Sequence, residues 1–351
     1  MKKISTALYL FCSLFLFLSC SSKDSEYTIL KPSTIKPDIF IPIGITHDMA
    51  VFNNEIYFME LATEFSDAGV QSNPIYIKKL ENNGTLSVIN DFLPFRSFTS
   101  TQNGRFTITS DGKPVSISNH SNKGNTIYSI KENAMELKET VATNTIQDNI
   151  SVFNDITSLN DDFIIYDKTS ATLRGFNLDI QETDFLVGNP DMKEVKDGVG
   201  TNAGFSNVSK IITAGNILYA VDNKNYLREI TNTDSGFKVK TLIDISDKGN
   251  ITDIAYDSNS KEILISIQDY EYNSQHKAGL YSYNVISDSL VLLYSGVVSL
   301  DVSELDTPYK ETSGFDFWGK INHMQVIGND LYFEQLDIII KISDFRSFTQ
   351  N

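Results

Sequence analysis

Cysteine is almost missing from this chain of 351 residues, which has only Cys12 and Cys20, both close to the N-terminus. The remainder of the chain therefore has no disulfide and no thiolate metal site. Enzyme signatures are missing as well, because the sequence contains no Gly-x-Ser-x-Gly, no His-Glu-x-x-His and no complete P-loop. These absences exclude the usual signatures of serine esterases, zinc proteases and P-loop nucleotidases.

Basic residues are outnumbered, with 29 Lys and Arg against 45 Asp and Glu, which gives a net charge of −16. The acidic side chains are dispersed along the chain rather than gathered into a tail. This balance disfavours nucleic acid and anionic lipid head groups, since both repel a negatively charged surface. No nucleic-acid partner is therefore expected.

Long hydrophobic segments are missing too, apart from residues 4–18, which follow Lys2 and Lys3. This run of about 15 residues is too short to cross a bilayer of roughly 30 Å as a helix. It is followed by Ser19-Cys20, which resembles the processing site of bacterial lipoproteins. The resemblance implies that residues 1–19 form a signal peptide and that Cys20 carries a lipid with palmitate among its acyl chains. A short membrane anchor without lipid is the alternative.

Residues 20–45 are expected to form a lipidated tether. Residues 21–26 are short, polar and charged, and Pro32, Pro37 and Pro42 favour an extended chain. Residues 21–26 resemble the surface-export signal of some gram-negative lipoproteins, and a plain solvated tether is the alternative. The expected location is the cell envelope, at the outer membrane and exposed at the cell surface.

Helix signals are scarce in the rest of the chain, whereas short runs of Ile, Val, Phe, Tyr and Thr are frequent. Asn, Asp, Gly and Ser interrupt these runs, which is the pattern of strands joined by tight turns. Clear examples are residues 55–58, 162–165, 216–221 and 262–266. No linker rich in Pro or Gly divides the body, so one all-β domain is predicted for residues 46–351.

A repeated unit distinguishes a β-sandwich from a β-propeller. Residues 47–58 align without a gap with residues 322–333, and the two segments share Met, Val, Asn, Tyr and Phe. Residues 154–164 fit the same frame, and residues 252–256 fit it with a longer turn before Ile263. Each unit predicts a strand, a tight turn and a more hydrophobic second strand.

The clearest unit, residues 205–230, resembles an NHL repeat. Asp222 and Asn225 fit the Asp-x-x-Asn motif of that family, and Arg228 supplies its basic residue. Residues 197–201, Asp-Gly-Val-Gly-Thr, resemble the lead-in found in such proteins. The resemblance implies an all-β fold of the propeller type and says little about activity.

Counting the second strands predicts a six-bladed β-propeller of four-stranded antiparallel blades. These strands are expected near Ile56, Phe106, Phe163, Leu218, Leu264 and Leu331. The widest spacing holds an insertion at residues 297–320, between the fifth and sixth blades. A pair of packed β-sandwiches is the competing architecture.

One position of the repeat, just before the first apolar residue of the first strand, is polar in four units. It is occupied by Asp48, Asp155, Asp253 and His323, and the preceding residues include His47 and Asn322. In a propeller these side chains share one mouth of the central channel, so they are predicted ligand-binding residues. Three carboxylates facing one channel repel each other, which suggests a bound cation such as Ca²⁺. The alternative is that they cap the backbone of the loops between blades.

Two loops, residues 269–276 and 314–319, are further candidates for ligand contact. Their aromatic side chains offer flat apolar faces to sugar rings or to a partner protein; the residues are Tyr270, Tyr272, Phe317 and Trp318. The alternative is that the aromatic side chains of the second loop seal the space between blades.

These features predict a lipid-anchored, extracytoplasmic binding or scaffolding module, to which no catalytic residue is assigned. Its expected partners are the membrane, through the lipid on Cys20, and envelope proteins or surface glycans. The alternative is an enzyme that resembles propeller lactonases or lyases, with a metal held in the central channel. Only the position of the rim side chains distinguishes these two functions.

Overall fold

The computed structural model describes residues 34–35, 38–42, 45–61, 64–65, 71–72, 75–81, 84–91, 105–108, 112, 114–120, 124–131, 134–141, 153–160, 162–177, 182–268, 279–295, 299–300, 315–316, 321–335 and 338–350. Cys20 and the predicted loop residues Tyr270, Tyr272, Phe317 and Trp318 lie outside the described residues.

Three antiparallel sheets form from the first half of the described chain, where β-branched and aromatic runs alternate with Asn, Asp and Gly turns. Sheet 1 contains Ile45–Phe52, Glu55–Leu61, Ile75–Leu80 and Leu86–Asp91. Sheet 2 contains Arg105–Ile108, Pro114–His120, Gly124–Lys131 and Ala134–Val141. Sheet 3 contains Phe153–Leu159, Asp162–Asp167, Thr172–Asn177 and Glu182–Gly188.

Three more antiparallel sheets follow. Sheet 4 contains Val208–Ala214, Ile217–Asp222, Tyr226–Thr233 and Gly236–Asp244, with Gly198–Val199 added at its edge. Sheet 5 contains Asn250–Asp257, Glu262–Gln268, Gly279–Asn284 and Ser289–Ser295. Sheet 6 contains Asn322–Ile327, Asp330–Gln335, Ile338–Ile342 and, as its outermost strand, Ile39–Pro42.

The remaining described elements are short. Glu64–Phe65 pairs with Gln71–Ser72, and a three-stranded sheet joins Thr34–Ile35, Ser299–Leu300 and Phe315–Asp316. Two 3-10 turns span Gly200–Asn202 and Phe345–Gln350. Among the described residues, none forms a helix with the length and apolar character that crossing a membrane requires.

The inner strand of each sheet is its first strand in the order given above, from Ile45–Phe52 in sheet 1 to Asn322–Ile327 in sheet 6. Each inner strand contacts the inner strands of the preceding and following sheets, and that of sheet 6 contacts that of sheet 1. This cyclic order identifies an all-β propeller of small antiparallel sheets. The competing β-sandwich architecture is therefore wrong.

The second strands bury both faces between neighbouring sheets, which explains their nearly continuous apolar sequences. In sheet 4, Leu218 and Ala220 pack towards sheet 3, whereas Tyr219 and Val221 pack towards sheet 5. Five of the six predicted second strands are at the expected places. The exception is Phe106, which belongs to the inner strand of sheet 2 rather than to its second strand.

Part of the predicted tether belongs to a sheet. Ile39–Pro42 pairs antiparallel with Ile338–Ile342, from Ile39 opposite Lys341 to Pro42 opposite Ile338. The carboxylate of Asp38 also accepts a hydrogen bond from the Ser343 amide at 2.7 Å. Sheet 6 therefore begins before residue 46, because the apolar run in this proline-spaced segment pairs with the edge of the C-terminal strands.

Candidate functional site

A β-bulge interrupts five of the six inner strands near the predicted rim position. The pairing register shifts between Thr46 and Asp48, Phe153 and Asp155, Val208 and Lys210, Ile251 and Asp253, and Asn322 and Gln325. A bulge adds one unpaired residue and changes the direction of the next side chain. The recurrence of the bulge explains why one repeat position directs its side chain in the same way in these five sheets.

The three aspartates of this position each bind the backbone of the next sheet. The Phe106 amide donates to Asp48 Oδ2 at 3.2 Å, and the Ile211 amide donates to Asp155 Oδ2 at 2.5 Å. The Met324 amide donates to Asp253 Oδ2 in the same way. These bonds join sheet 1 to sheet 2, sheet 3 to sheet 4, and sheet 5 to sheet 6. All three aspartates thus bind backbone amides, but these amides lie in the inner strands of the next sheets rather than in the loops between blades.

Basic residues occupy the same position in the intervening sheets. Each amide that an aspartate binds belongs to the residue that follows Arg105, Lys210 or His323. In chain order and in the order of the sheets, acidic and basic side chains therefore alternate. We call this set the ionic ring; its members are Asp48, Arg105, Asp155, Lys210, Asp253 and His323.

Short distances connect the ionic ring. Asp48 Oδ1 lies 3.3 Å from Lys210 Nζ, 3.2 Å from His323 Nδ1 and 3.7 Å from an Arg105 guanidinium nitrogen. Lys210 Nζ also lies 3.8 Å from Asp253 Oδ1, and Arg105 Nε lies 3.7 Å from Asp155 Oδ1. All three aspartates are at most 2% exposed, so these charges are withdrawn from water.

Burial and charge act in opposite directions on the ionisable groups of the ring. Burial disfavours ionised Asp48, but Lys210, His323 and Arg105 hold the pKa of Asp48 far below its ordinary value. Burial raises the pKa of Asp155 to about 6, although Lys210 and Arg105 partly oppose that rise. Burial also works against the charge of Lys210, yet Asp48 and Asp253 keep the pKa of Lys210 above its ordinary value. The ring is therefore held by a charged Asp48–Lys210 pair.

The expectation of a calcium site at the rim assumed that Asp48, Asp155 and Asp253 face one another without compensation, whereas Lys210 and Arg105 lie between them. Within the described part of the chain, no three His, Cys, Asp or Glu side chains are grouped to hold a metal. The side chains that neutralise the carboxylates belong to the protein itself.

Of the other two predicted rim residues, Asn322 and His47, the structure describes the side chain of Asn322 alone. Asn322 donates from Nδ2 to Glu334 Oε2 at 2.9 Å, so it contacts its own sheet rather than the ring. His47 belongs to the inner strand of sheet 1, but its side chain lies outside the described residues. Arg105 and Lys210 occupy the same repeat position but were not predicted. Only Asp and His were considered at that position, and Phe106, which follows Arg105, was assigned to a second strand.

A cavity of about 280 Å³ lies between the inner strands, beside Asp48 and Lys210 of the ionic ring. Two residues beyond each ring member, the inner strands contribute mostly small or polar side chains to its wall: Ala50, Thr107, Thr157, Ile212, Ala255 and Gln325. The hydroxyls of Thr157 and Thr213 are 3.0 Å apart, and Gln325 Nε2 donates to the Met49 carbonyl at 2.9 Å. The cavity beside the ring is thus small, and small or polar side chains line most of its wall.

Comparisons with known proteins support the fold and no particular activity. No protein-family model matches the sequence, and a search of curated proteins found no match. A chain of a nidogen/laminin complex is similar, with a TM-score of 0.50 and 11% identity over 81% of this chain and 88% of that one. Identity at this level shows a shared fold alone.

Two bacterial structures are similar at lower scores. A structural genomics protein of unknown function from Bacteroides thetaiotaomicron has a TM-score of 0.43 and 12% identity, covering 84% of this chain. The match spans 57% of the length of that protein. A catalytically inactive virginiamycin B lyase from Staphylococcus aureus has a TM-score of 0.45 and 9% identity, covering 86% of this chain and 98% of that one.

Asp155→Asn should remove a pH-dependent contribution to stability. The folded-state pKa of Asp155, about 6, is above the ordinary 3.8, so the folded protein holds this proton more tightly. The stabilising contribution is therefore complete below pH about 4 and is lost as the pH rises through about 6, with a size of about 3 kcal/mol. Urea unfolding of both proteins from pH 4 to 7 measures it.

The exposed pair of Asp247 and Lys248 supplies the control for this experiment, because the Asp247 side chain is 73% exposed. The difference in unfolding free energy between Asp247→Asn and the unchanged protein should vary little with pH. Parallel pH profiles for the unchanged protein and Asp155→Asn would contradict the assignment of the raised pKa to Asp155.

Proposed function

We propose that this chain is a lipid-anchored, extracytoplasmic six-bladed β-propeller that acts as a binding or scaffolding module at the cell envelope. The observation that carries the proposal is the ionic ring. Lys210 and Arg105 of the same chain neutralise its buried carboxylates, so within the described part of the chain we favour the loops and the clefts between sheets as surfaces for partners. Envelope proteins or surface glycans are the expected partners.

Six blades are proposed because six sheets of four or more strands follow one another in a closed cycle of inner-strand contacts. Membership of the NHL-like propellers is proposed from sheet 4. There Arg228 Nη1 donates to Asp222 Oδ2 at 2.8 Å, and Asp222 Oδ1 accepts from the Ser206 and Asn207 amides. Asp222 and Arg228, two of the residues that carry the resemblance, thus form a buried ion pair, which supports a structural role for this part of the motif.

The enzymatic alternative, a lactonase-like or lyase-like propeller with a channel metal, lacks a supporting observation among the described residues. It needs Asp and His side chains that converge with open coordination positions. In the ionic ring each carboxylate instead accepts a backbone amide and lies against Lys210 or Arg105. We therefore favour the binding module.

Lipid anchoring at Cys20 is tested by Cys20→Ala. Without the thiol no lipid can be attached, so we expect an unprocessed or soluble exported protein in place of a membrane-bound one. Fractionation of cells, with mass spectrometry of the mature N-terminus, measures the change. Ser19→Ala is the matched control, since a small residue before the cysteine preserves processing. Unchanged membrane fractionation of Cys20→Ala, with the same N-terminus, would show that another feature anchors the chain.

The binding function is tested on the anchored protein in its native membrane. Chemical cross-linking on whole cells, followed by affinity capture, should give the same partner in repeated experiments, and the Cys20→Ala protein should lose it. Absence of any reproducible cross-linked partner or glycan would contradict the function as a binding module, whatever the result for the lipid.

A further inference from the structure

A cleft of about 910 Å³ lies between sheets 3 and 4, beside the turns that join their first and second strands. This volume is within the range of ligand-binding pockets. Ile164, Leu186 and Phe237 contribute apolar surface to its wall, and amide and hydroxyl groups from the turns surround them. The cleft is separate from the central channel and from the ionic ring.

Comparison with the other sheets shows why the space is open. In sheet 6, Tyr332 of the second strand pairs with Lys341 of the third strand, and both face sheet 1. The corresponding pair in sheet 1 is Tyr57 with Lys79. In sheet 3 the same two positions hold Ile164 and Gly175. Ile164 thus stands where sheets 1 and 6 have a tyrosine, and Gly175, which has no side chain, stands where they have a lysine.

A cleft lies at the corresponding place between sheets 6 and 1, and Tyr332 and Lys341 fill part of it. Its volume is about 30 Å³. The cleft between sheets 3 and 4 occupies the corresponding place and is about 910 Å³. The space beside Gly175 therefore corresponds to the space that a lysine side chain fills elsewhere in the same molecule.

In three other sheets a basic side chain lies against an acidic residue at the start of the second strand. Lys79 Nζ lies 2.6 Å from Glu55, and Lys341 Nζ lies 2.8 Å from Asp330. The Lys341 ammonium also lies 5.5 Å from the centre of the Tyr332 ring. In sheet 5 the basic group is Arg346, 2.9 Å from Glu262, supplied by the C-terminal 3-10 turn.

The acidic residue is retained in sheet 3, where Asp162 pairs with Leu159 at the same place. Asp162 also interacts with another residue of the same chain. Asp184 and Asp234 add two more exposed carboxylates to the cleft, and the described residues that line it include no Lys, Arg or His. An apolar wall below a rim of carboxylates fits a side chain with a methylene stem and a cationic end.

We propose that this cleft binds a lysine or arginine side chain presented by an extended segment of a partner protein. The ligand's methylene groups lie over Ile164 and Gly175, and its cationic group reaches the carboxylates of Asp162, Asp184 and Asp234. The internal lysines of sheets 1 and 6 show the same chemistry within one chain. This inference rests on the proposed function as a binding module and specifies the chemistry of its partner.

Gly175→Lys tests the proposal by restoring the residue type found in sheets 1 and 6. A Cβ atom at Gly175 would be 3.5 Å from Leu186 Cδ2, an ordinary contact, so the strand accepts the substitution. The probe is a fluorescein-labelled peptide, Gly-Leu-Lys-Leu-Lys-Gly, measured by fluorescence anisotropy against the full exported protein. A second probe has both lysines acetylated, which keeps their length and removes their charge.

We expect the lysine peptide to bind, and the acetylated peptide and Gly175→Lys each to weaken binding by at least roughly 5-fold. Val291→Lys is the matched control, since it adds the same charge at a position on sheet 5 that is 54% exposed; its affinity should stay within about 2-fold. The double variant of Asp184→Asn and Asp234→Asn should also bind more weakly, which keeps the test valid if Gly175→Lys misfolds.

Equal binding of the two peptides, equal binding by Gly175→Lys and the unchanged protein, or no binding of either peptide at millimolar concentration would overturn the cleft proposal. If cells still yield a cross-linked partner that Gly175→Lys retains, the binding module stands and this cleft is not its site. If neither peptide nor partner is found, both proposals fail.

Discussion

Replacing Lys210 with methionine is expected to destabilise the folded protein by about 3–5 kcal/mol, because removal of one partner leaves buried charges uncompensated. Lys210 Nζ lies 3.3 Å from Asp48 and 3.8 Å from Asp253, and its side chain is 8% exposed. Methionine has similar length and no charge, so the substitution removes the charge with little change of volume. Urea or guanidinium unfolding at pH 7 measures the loss.

Lys248→Met is the matched control for Lys210→Met. Lys248 is 3.0 Å from Asp247, but the two side chains are 33% and 73% exposed, so the pair is screened by water. Its loss should cost less than about 1 kcal/mol. Equal effects of the two substitutions would show that the ionic ring contributes no more than a surface pair.

The cost of Lys210→Met should also decrease as the pH falls. In the unchanged protein the pKa of Asp48 is held far below its ordinary value, so the stabilising contribution of Asp48 is complete above pH about 4. It is lost only gradually below that pH, as the pH falls towards the folded-state pKa. Without Lys210 the pKa of Asp48 rises, and the folded variant takes up a proton at a higher pH. The difference between the two proteins should therefore be largest near pH 7 and smaller near pH 4.

Arg228→Met is expected to have an effect of similar size, about 3–5 kcal/mol. Arg228 is fully buried and lies 2.8 Å from Asp222, which is also fully buried. Its other nitrogen donates to the Lys196 carbonyl at 2.9 Å and to Asp197 at 3.1 Å. The substitution leaves the Asp222 carboxylate without its cation and releases the lead-in segment that precedes sheet 4.

A double-mutant cycle separates the ion pair from the packing of Arg228. Asp222→Asn can still accept the Ser206 and Asn207 amides, while it removes the charge that Arg228 neutralises. We expect Asp222→Asn with Arg228→Met to be more stable than the sum of the single effects, by at least about 1 kcal/mol. Strict additivity would mean that the cost of Arg228→Met comes from lost packing and backbone contacts alone.

The repeat frame made the propeller predictable. Gapless agreement between residues 47–58 and 322–333 locates two equivalent strand pairs, and apolar second strands locate most of the others. Sheet 2 was misaligned because Phe106 is the sort of residue expected in a second strand, although it follows the ring position in the inner strand. That single shift also concealed Arg105.

The candidate site was predictable only in part. Equivalence in sequence placed Asp48, Asp155, Asp253 and His323 at one position, and their contacts through Lys210 and Arg105 show that they meet in space. Their partners come from sheets distant in sequence, so the compensating charges could not be assigned from one segment alone. The same holds for the cleft at Gly175, which becomes visible only when strand register aligns it with Lys341.

The pairing of Ile39–Pro42 with Ile338–Ile342 constrains how the chain can fold. The partners are separated by about 300 residues, so the first strand stays unpaired until the C-terminal strand is available. Until then the backbone N–H and C=O groups of its edge are unpaired and its apolar side chains are uncovered. Such an edge can pair with the wrong strand. Sheet 6 is therefore complete only when Ile338–Ile342 has joined it. A truncation that removes this strand would leave Ile39–Pro42 unpaired as well.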